Sequence, residues 1–80
     1  MSGVRAVRFF TPDPLDHCAR ALDGVRRMGF DLVSVWARPT PNTSFLVHAN
    51  FVPLGELPSR VLADRISAFV GVSGVELQTE

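Results

Sequence analysis

The residues able to do chemistry are few. The sequence holds two histidines, His17 and His48, and one cysteine, Cys18; the acids Asp13 and Asp16 lie next to the histidine–cysteine pair. A nucleophilic site needs a thiol or hydroxyl, a base and an orienting group within mutual reach. His17 and Cys18 are neighbours on what reads as a helix, so their side chains diverge by about 100° and do not face each other. His17 therefore reads as a solvent histidine beside a core thiol. His48 alternates with Asn50 along a strand and reads as sheet surface. The sequence shows no two-histidine, carboxylate-rich or glycine-rich phosphate pattern, and Gly-Val-Ser-Gly at 71–74 reads as a turn. Catalysis, a metal site and a cofactor of its own are not expected.

The elements that must position these residues follow from hydrophobic periodicity. Residues 4–10 alternate as a strand, with Arg5, Val7 and Phe9 on one face and Ala6, Arg8 and Phe10 on the other. Thr11-Pro12-Asp13-Pro14 ends the strand and starts a helix, with Asp13 as cap, Pro14 at the first helical position and Asp16 in the first turn. The spacing predicts a helix over 14–28 burying Leu15, Cys18, Ala19, Leu22, Val25 and Met28, with Arg26 and Arg27 at its negative end and Gly29 as the stop. A second strand over 30–38 places Asp31, Val33, Val35 and Ala37 opposite Leu32, Ser34, Trp36 and Arg38. A turn at 39–43 leads to a third strand, 45–52, with Phe45, Val47, Ala49 and Phe51 on the buried side. A linker over 53–57 precedes an amphipathic helix from Pro58 to about residue 70, traced by Val61, Leu62, Arg65, Ile66, Phe69 and Val70. Gly71 and Gly74 bracket a turn before a short last strand at 75–78.

The order β-α-β-β-α-β with right-handed crossovers predicts an α+β fold, the ferredoxin-like sandwich. Four antiparallel strands run in the order 4-1-3-2 with both helices on one face. Acylphosphatases share this order, but their glycine-rich first-loop pattern is missing here.

Length and composition set the remaining bounds. The chain has 80 residues, formal net charge zero, and arginine as its only basic type apart from histidine. It is read as one domain over 1–80. A chain this short buries only roughly 60% of its unfolded surface, so further burial against a partner is expected. The lone thiol excludes an internal disulfide, and no apolar run approaches a membrane span or a secretory signal. A cytoplasmic protein is expected.

Two surfaces remain as candidates. The sheet face away from the helices collects Arg8, Phe10, Ser34, Trp36, His48, Asn50 and Gln78, the kind of face RNA-recognition modules use for base stacking. The neutral charge and the lack of a basic-aromatic signature on the third strand argue against nucleic acid as the partner. The second strand is an edge: Leu32, Val33, Ser34, Val35 and Trp36 carry no lysine or proline to block pairing with another chain. A homodimer through this edge is expected.

The stretch Leu22-Asp23-Gly24-Val25-Arg26-Arg27-Met28-Gly29-Phe30-Asp31-Leu32-Val33-Ser34-Val35 resembles the ACT domains of acetolactate synthase regulatory subunits, which run arg-arg-gly-phe/tyr-asn-ile-x-ser at this point. Arg8-Phe9 and Leu62 through Val72 are similar to the family's beginning and ending. The resemblance covers nearly the whole chain and is to the short, single-ACT subunit of the isozyme II type. It implies a non-catalytic subunit that binds and activates the thiamine-diphosphate-dependent large catalytic subunit of acetolactate synthase, in branched-chain amino-acid biosynthesis. Some members also sense valine at a dimer interface. The family's effector loop, Asn/Asp-x-x-Gly-x-Leu, falls on Asp13, Asp16 and Cys18, and the pair after Gly-Phe falls on Asp31 and Leu32. Asp13, Asp31 and Leu32 fit this pattern; Asp16 and Cys18 depart from it.

The departure has a physical consequence. A glycine would let a ligand carboxylate approach the helix N-terminus, whereas Asp16 places its own carboxylate there, able to cap the free N–H groups and repel the ligand. Weak or absent binding of a branched-chain amino acid is therefore expected. A free-standing ACT-like amino-acid sensor and a ferredoxin-like RNA-binding module are the alternatives.

Overall fold

Prolines punctuate the chain where strands must give way to helices. The computed structural model describes residues 3–55 and 57–79; Glu56, in the linker expected over 53–57, lies outside them, as do Met1, Ser2 and Glu80. The elements are β1 (Arg5–Thr11), α1 (Pro14–Arg27), β2 (Asp31–Pro39), β3 (Phe45–Val52), α2 (Ser59–Ser67) and β4 (Ser73–Thr79). All neighbouring strands pair antiparallel, in the order β2-β3-β1-β4. This is the ferredoxin-like sandwich that the element order implies.

The core is the slab between the sheet and the helices. Val7 and Phe9 of β1 and Val47, Ala49 and Phe51 of β3 face Ala21, Val25, Leu62, Ala63 and Ile66 of the helices, all buried. Phe30 stacks on Phe51 with ring centroids 5.4 Å apart. Burying each of these phenylalanines contributes about 1.5–3 kcal/mol. The phases expected for β1 and β3 are therefore those observed.

Helix α1 is rotated from its expected face. Leu15 is 88% exposed and Ala19 is exposed, while His17, Ala21 and Val25 are buried, with Met28 following as the cap. These four lie at i, i+4, i+8 and i+11, one continuous stripe. Small residues explain the choice: Gly24 sits so close to α2 that a Cβ there would be 3.1 Å from Leu62 Cδ1. The helix is pulled in where its side chains are least, and Leu15 is turned out.

Three further boundaries differ from expectation. Helix α2 ends at Ser67, because Ala68 N–H and Phe69 N–H bond the carbonyls three residues back and tighten the chain into a turn. Val70 thus lies beyond the helix and is 93% exposed. Strand β4 begins at Ser73, so Gly74 belongs to the strand, inside a bulge against β1 between Arg8 and Phe10. Its φ of 62° and a would-be Cβ 2.8 Å from Phe10 Cδ2 require glycine there. Strand β2 carries the third irregularity. Its register against β3 shifts between Leu32 and Ser34, leaving Val33 as the extra residue. Leu32 consequently pairs with Phe51 on the core side and Asp31 with Val52 on the outer side, the reverse of simple alternation.

Candidate functional site

The β1–α1 junction is where the resemblance puts an effector loop, and the sequence folds it into a self-satisfied turn. Asp13 caps the helix: its Oδ1 accepts the Asp16 N–H at 3.3 Å. The carboxylate of Asp16 turns away from the helix end and takes Arg20 Nε at 2.9 Å. Asp13, the expected cap, is the observed one, its non-helical φ of −128° aiming its oxygen at the Asp16 N–H, and the capping role also open to Asp16 is not taken up. An i,i+4 partner on the same helix face takes Asp16 instead.

Beneath this turn lies a buried polar pair. Thr11, 1% exposed, accepts the Asp13 N–H on Oγ1 at 2.9 Å and lies 2.5 Å from His17 Nδ1. Oγ1 thus serves the Asp13 N–H and the imidazole at once, one hydroxyl shared between the turn and the ring. Nε2 is 3.9 Å from the Asp16 carboxylate. The imidazole stacks on Phe69 at 5.7 Å, and Gly71 packs beside Cε1. His17 is thus no solvent histidine. It ties the end of β1, the first turn of α1 and the α2–β4 turn together.

Cys18 is half-buried, and burial pushes its thiol above the ordinary range. A thiol held neutral is a poor nucleophile. At the far end of α1, hydrogen bonds from Arg26 and then Arg27 hold the Asp23 carboxyl below the usual carboxylate range. Among the described residues no group of three histidine, cysteine, aspartate or glutamate side chains is placed to hold a metal ion. No helix among them is long and apolar enough to cross a membrane.

Asp13, Asp16 and Cys18 gather at the N-terminal end of α1. Asp31 and Leu32 begin β2, after the C-terminal end of that helix, roughly 20 Å away by the helix rise. One chain does not bring the five together.

The β2 edge is open. β2 is the end strand, paired only with β3, and Leu32 and Val33 are 44% and 57% exposed. The bulge at Val33 divides the expected pairing segment Leu32–Trp36, so the regular part of the edge runs from Ser34 onward.

On the outer sheet face the expected residues share one surface by register, and most of their side chains are engaged with a neighbour. Trp36 stacks on His48 at 4.9 Å, and the Arg38 guanidinium lies 4.3 Å from the indole centroid. Arg8 Nε is held by Glu76 at 2.7 Å, and Asn50 bonds both Ser34 and His48. Of the cations and rings that a base-stacking platform would present, Arg8, Arg38, Trp36 and His48 already have partners, and Phe10 is left 37% exposed.

Fold and surfaces together define a ferredoxin-like sandwich with a closed β1–α1 turn and an open β2 edge. Among solved structures, the C-terminal domain of the MgtC protein from Mycobacterium tuberculosis superposes with a TM-score of 0.85 at 16% identity, covering 100% of this chain and 92% of that one. The ACT domain from GTP pyrophosphokinase of Chlorobium tepidum superposes with a TM-score of 0.72 at 12% identity, covering 96% of this chain and 99% of that one. The chain therefore has the ACT-type βαββαβ fold. Neither protein-family models nor curated proteins match the sequence.

Proposed function

We propose that this chain is a non-catalytic regulatory subunit, cytoplasmic and without a cofactor of its own, that binds and activates the catalytic subunit of acetolactate synthase. The ACT-type fold carries the regulatory part of this reading. The run Arg26-Arg27-Met28-Gly29-Phe30-Asp31 at the α1–β2 turn, similar to the regulatory subunits of that enzyme, supports the choice of partner. Weak or absent valine sensing, part of the same reading, is supported by the β1–α1 turn. There Asp13 caps the Asp16 N–H, and the Asp16 carboxylate, paired with Arg20, adds negative charge to the first helical turn that a ligand carboxylate would have to approach.

The functional unit in this reading is a homodimer. Antiparallel pairing of two β2 edges across a twofold axis extends the sheet to eight strands and adds burial that a chain of this size lacks. It also carries Asp31 and Leu32 of one copy toward the end of the sheet where Asp13 of the other lies.

The test is co-expression with a candidate catalytic subunit and comparison of its turnover with and without this chain. Co-purification with raised turnover is the expected result; neither co-purification nor activation would refute the proposal. A second reading, a free-standing ACT-like amino-acid sensor, is favoured by the likeness to domains of two differently named proteins. A branched-chain amino acid binding tightly in calorimetry without any synthase partner would select it.

A further inference from the structure

The helix layer holds a surface that none of the preceding readings uses. Between α1 and α2 runs an open groove of about 530 Å³. It exists because α1 presents Ala19 and Gly24 there and α2 turns away at Ala68, so side chains that would fill the gap are missing.

Its charge is not that of the molecule. The chain is neutral, yet among the described residues that line the groove Arg20, Arg27 and Arg65 stand against Asp23 as the only acid. Arg20 and Arg27 are steered by ion pairs to Asp16 and Asp23. The Arg65 side chain, in the last turn of α2, makes no hydrogen bond or ion pair with the described residues. Its guanidinium therefore stands ready for an anion from outside. Opposite it across the groove lies the α1 segment that bears Arg20.

The floor decides the size of the occupant. Leu62 and Ile66 are 1% and 0% exposed, so the apolar surface still open to an occupant is spread along the rims, on the exposed Ala19 and Ala68 and the half-buried Phe69. A helix is better matched, because the missing side chains at Gly24, Ala19 and Ala68 let another backbone approach closely. Such a helix brings its own apolar face to bury and can set a carboxylate against the unpaired guanidinium of Arg65.

We propose that the α1–α2 groove docks an acidic, apolar-faced helical segment of a protein partner. The inference rests on the regulatory reading only in requiring that such a partner exists.

The test is a heteronuclear NMR titration of the full chain with a blocked amphipathic helix of leucine, alanine and glutamate. A length of about 14 residues lets it run the length of α1. The expected result is a set of shifts clustered at Ala19, Gly24, Arg65 and Ala68, weakened by salt. Arg65→Glu and Ala68→Trp, both at exposed positions, should each weaken binding about tenfold while leaving thermal unfolding unchanged. Equal binding of the lysine counterpart, shifts confined to the outer sheet face, or undiminished affinity in both variants would overturn the proposal. So would displacement of the peptide by an equal concentration of decanoate, which would make the groove an amphiphile site. Because no synthase enters this experiment, a chain that binds the glutamate helix but fails to activate the synthase loses its proposed partner and keeps its groove.

Discussion

The β1–α1 end of the sandwich and the β2 edge are opposites. At the first, three polar side chains are each turned to a neighbour within the chain: Asp13 to a backbone N–H, Asp16 to Arg20, Thr11 to His17. At the second, a strand ends the sheet with its outer row of backbone groups facing outward and Leu32 and Val33 uncovered. A molecule built this way is suited to act through surfaces more than through a pocket. Self-satisfied polar groups rigidify a turn, while unpaired strand edges invite another chain.

The contrast can be broken from the closed side first, where effects are largest. His17→Ala removes a buried ring stacked on Phe69 and leaves Thr11 facing a cavity. It should cost about 3 kcal/mol in denaturant unfolding. A loss below about 0.5 kcal/mol would mean that the histidine is no tie. Thr11→Val strips the shared oxygen from both His17 Nδ1 and the Asp13 N–H. A loss of about 2 kcal/mol is expected, and combining it with His17→Ala should cost less than the sum, since both act on one network.

The open side is probed by Val33→Lys at the bulge. The charge should weaken self-association at least about tenfold, seen by sedimentation equilibrium, with monomer stability unchanged. Unaltered association would place the interface elsewhere. Asp13→Ala should cost about 1 kcal/mol by leaving the Asp16 N–H uncapped. If the closed turn is what excludes a ligand, the same variant should also acquire measurable valine affinity in calorimetry.

The smallest effect is one of pH. Arg26 and Arg27 hold the Asp23 carboxyl below its unfolded range, so the stability it contributes is present above the ordinary carboxylate range. It is lost as pH falls through the lowered value. Because the pair is exposed, the effect is slight and fades with salt. Thermal melts taken down the acid limb should show a small decline that Asp23→Asn lacks.

Much of the fold was legible in the sequence because its signals are local. Pro12, Pro14 and Pro58 mark the boundaries, and the alternation of Val7 with Phe9 and of Val47 with Phe51 fixes which faces are buried. What escaped were features set by contacts between elements. The bulge at Val33 inserts a residue into β2 without disturbing its composition, so alternation misassigned Asp31 and Leu32. The α1 face was misjudged because Leu15 outweighs Ala21 and Gly24 in hydrophobicity, although helix packing favoured the small residues. His17 could have been found: it begins the stripe that continues through Ala21, Val25 and Met28. Its partner Thr11 lies across a turn, and no spacing rule links the two.

Amide hydrogen exchange reads both regions at once and tests the contrast most directly. Exchange would be followed at the β2 amides from Val33 to Trp36 and at the Asp16 and His17 amides, over a range of protein concentrations, with and without valine. The account predicts that β2 protection rises with protein concentration while the α1 amides are unmoved by valine. Protection of Asp16 and His17 by valine, with β2 exchange independent of concentration, would contradict it.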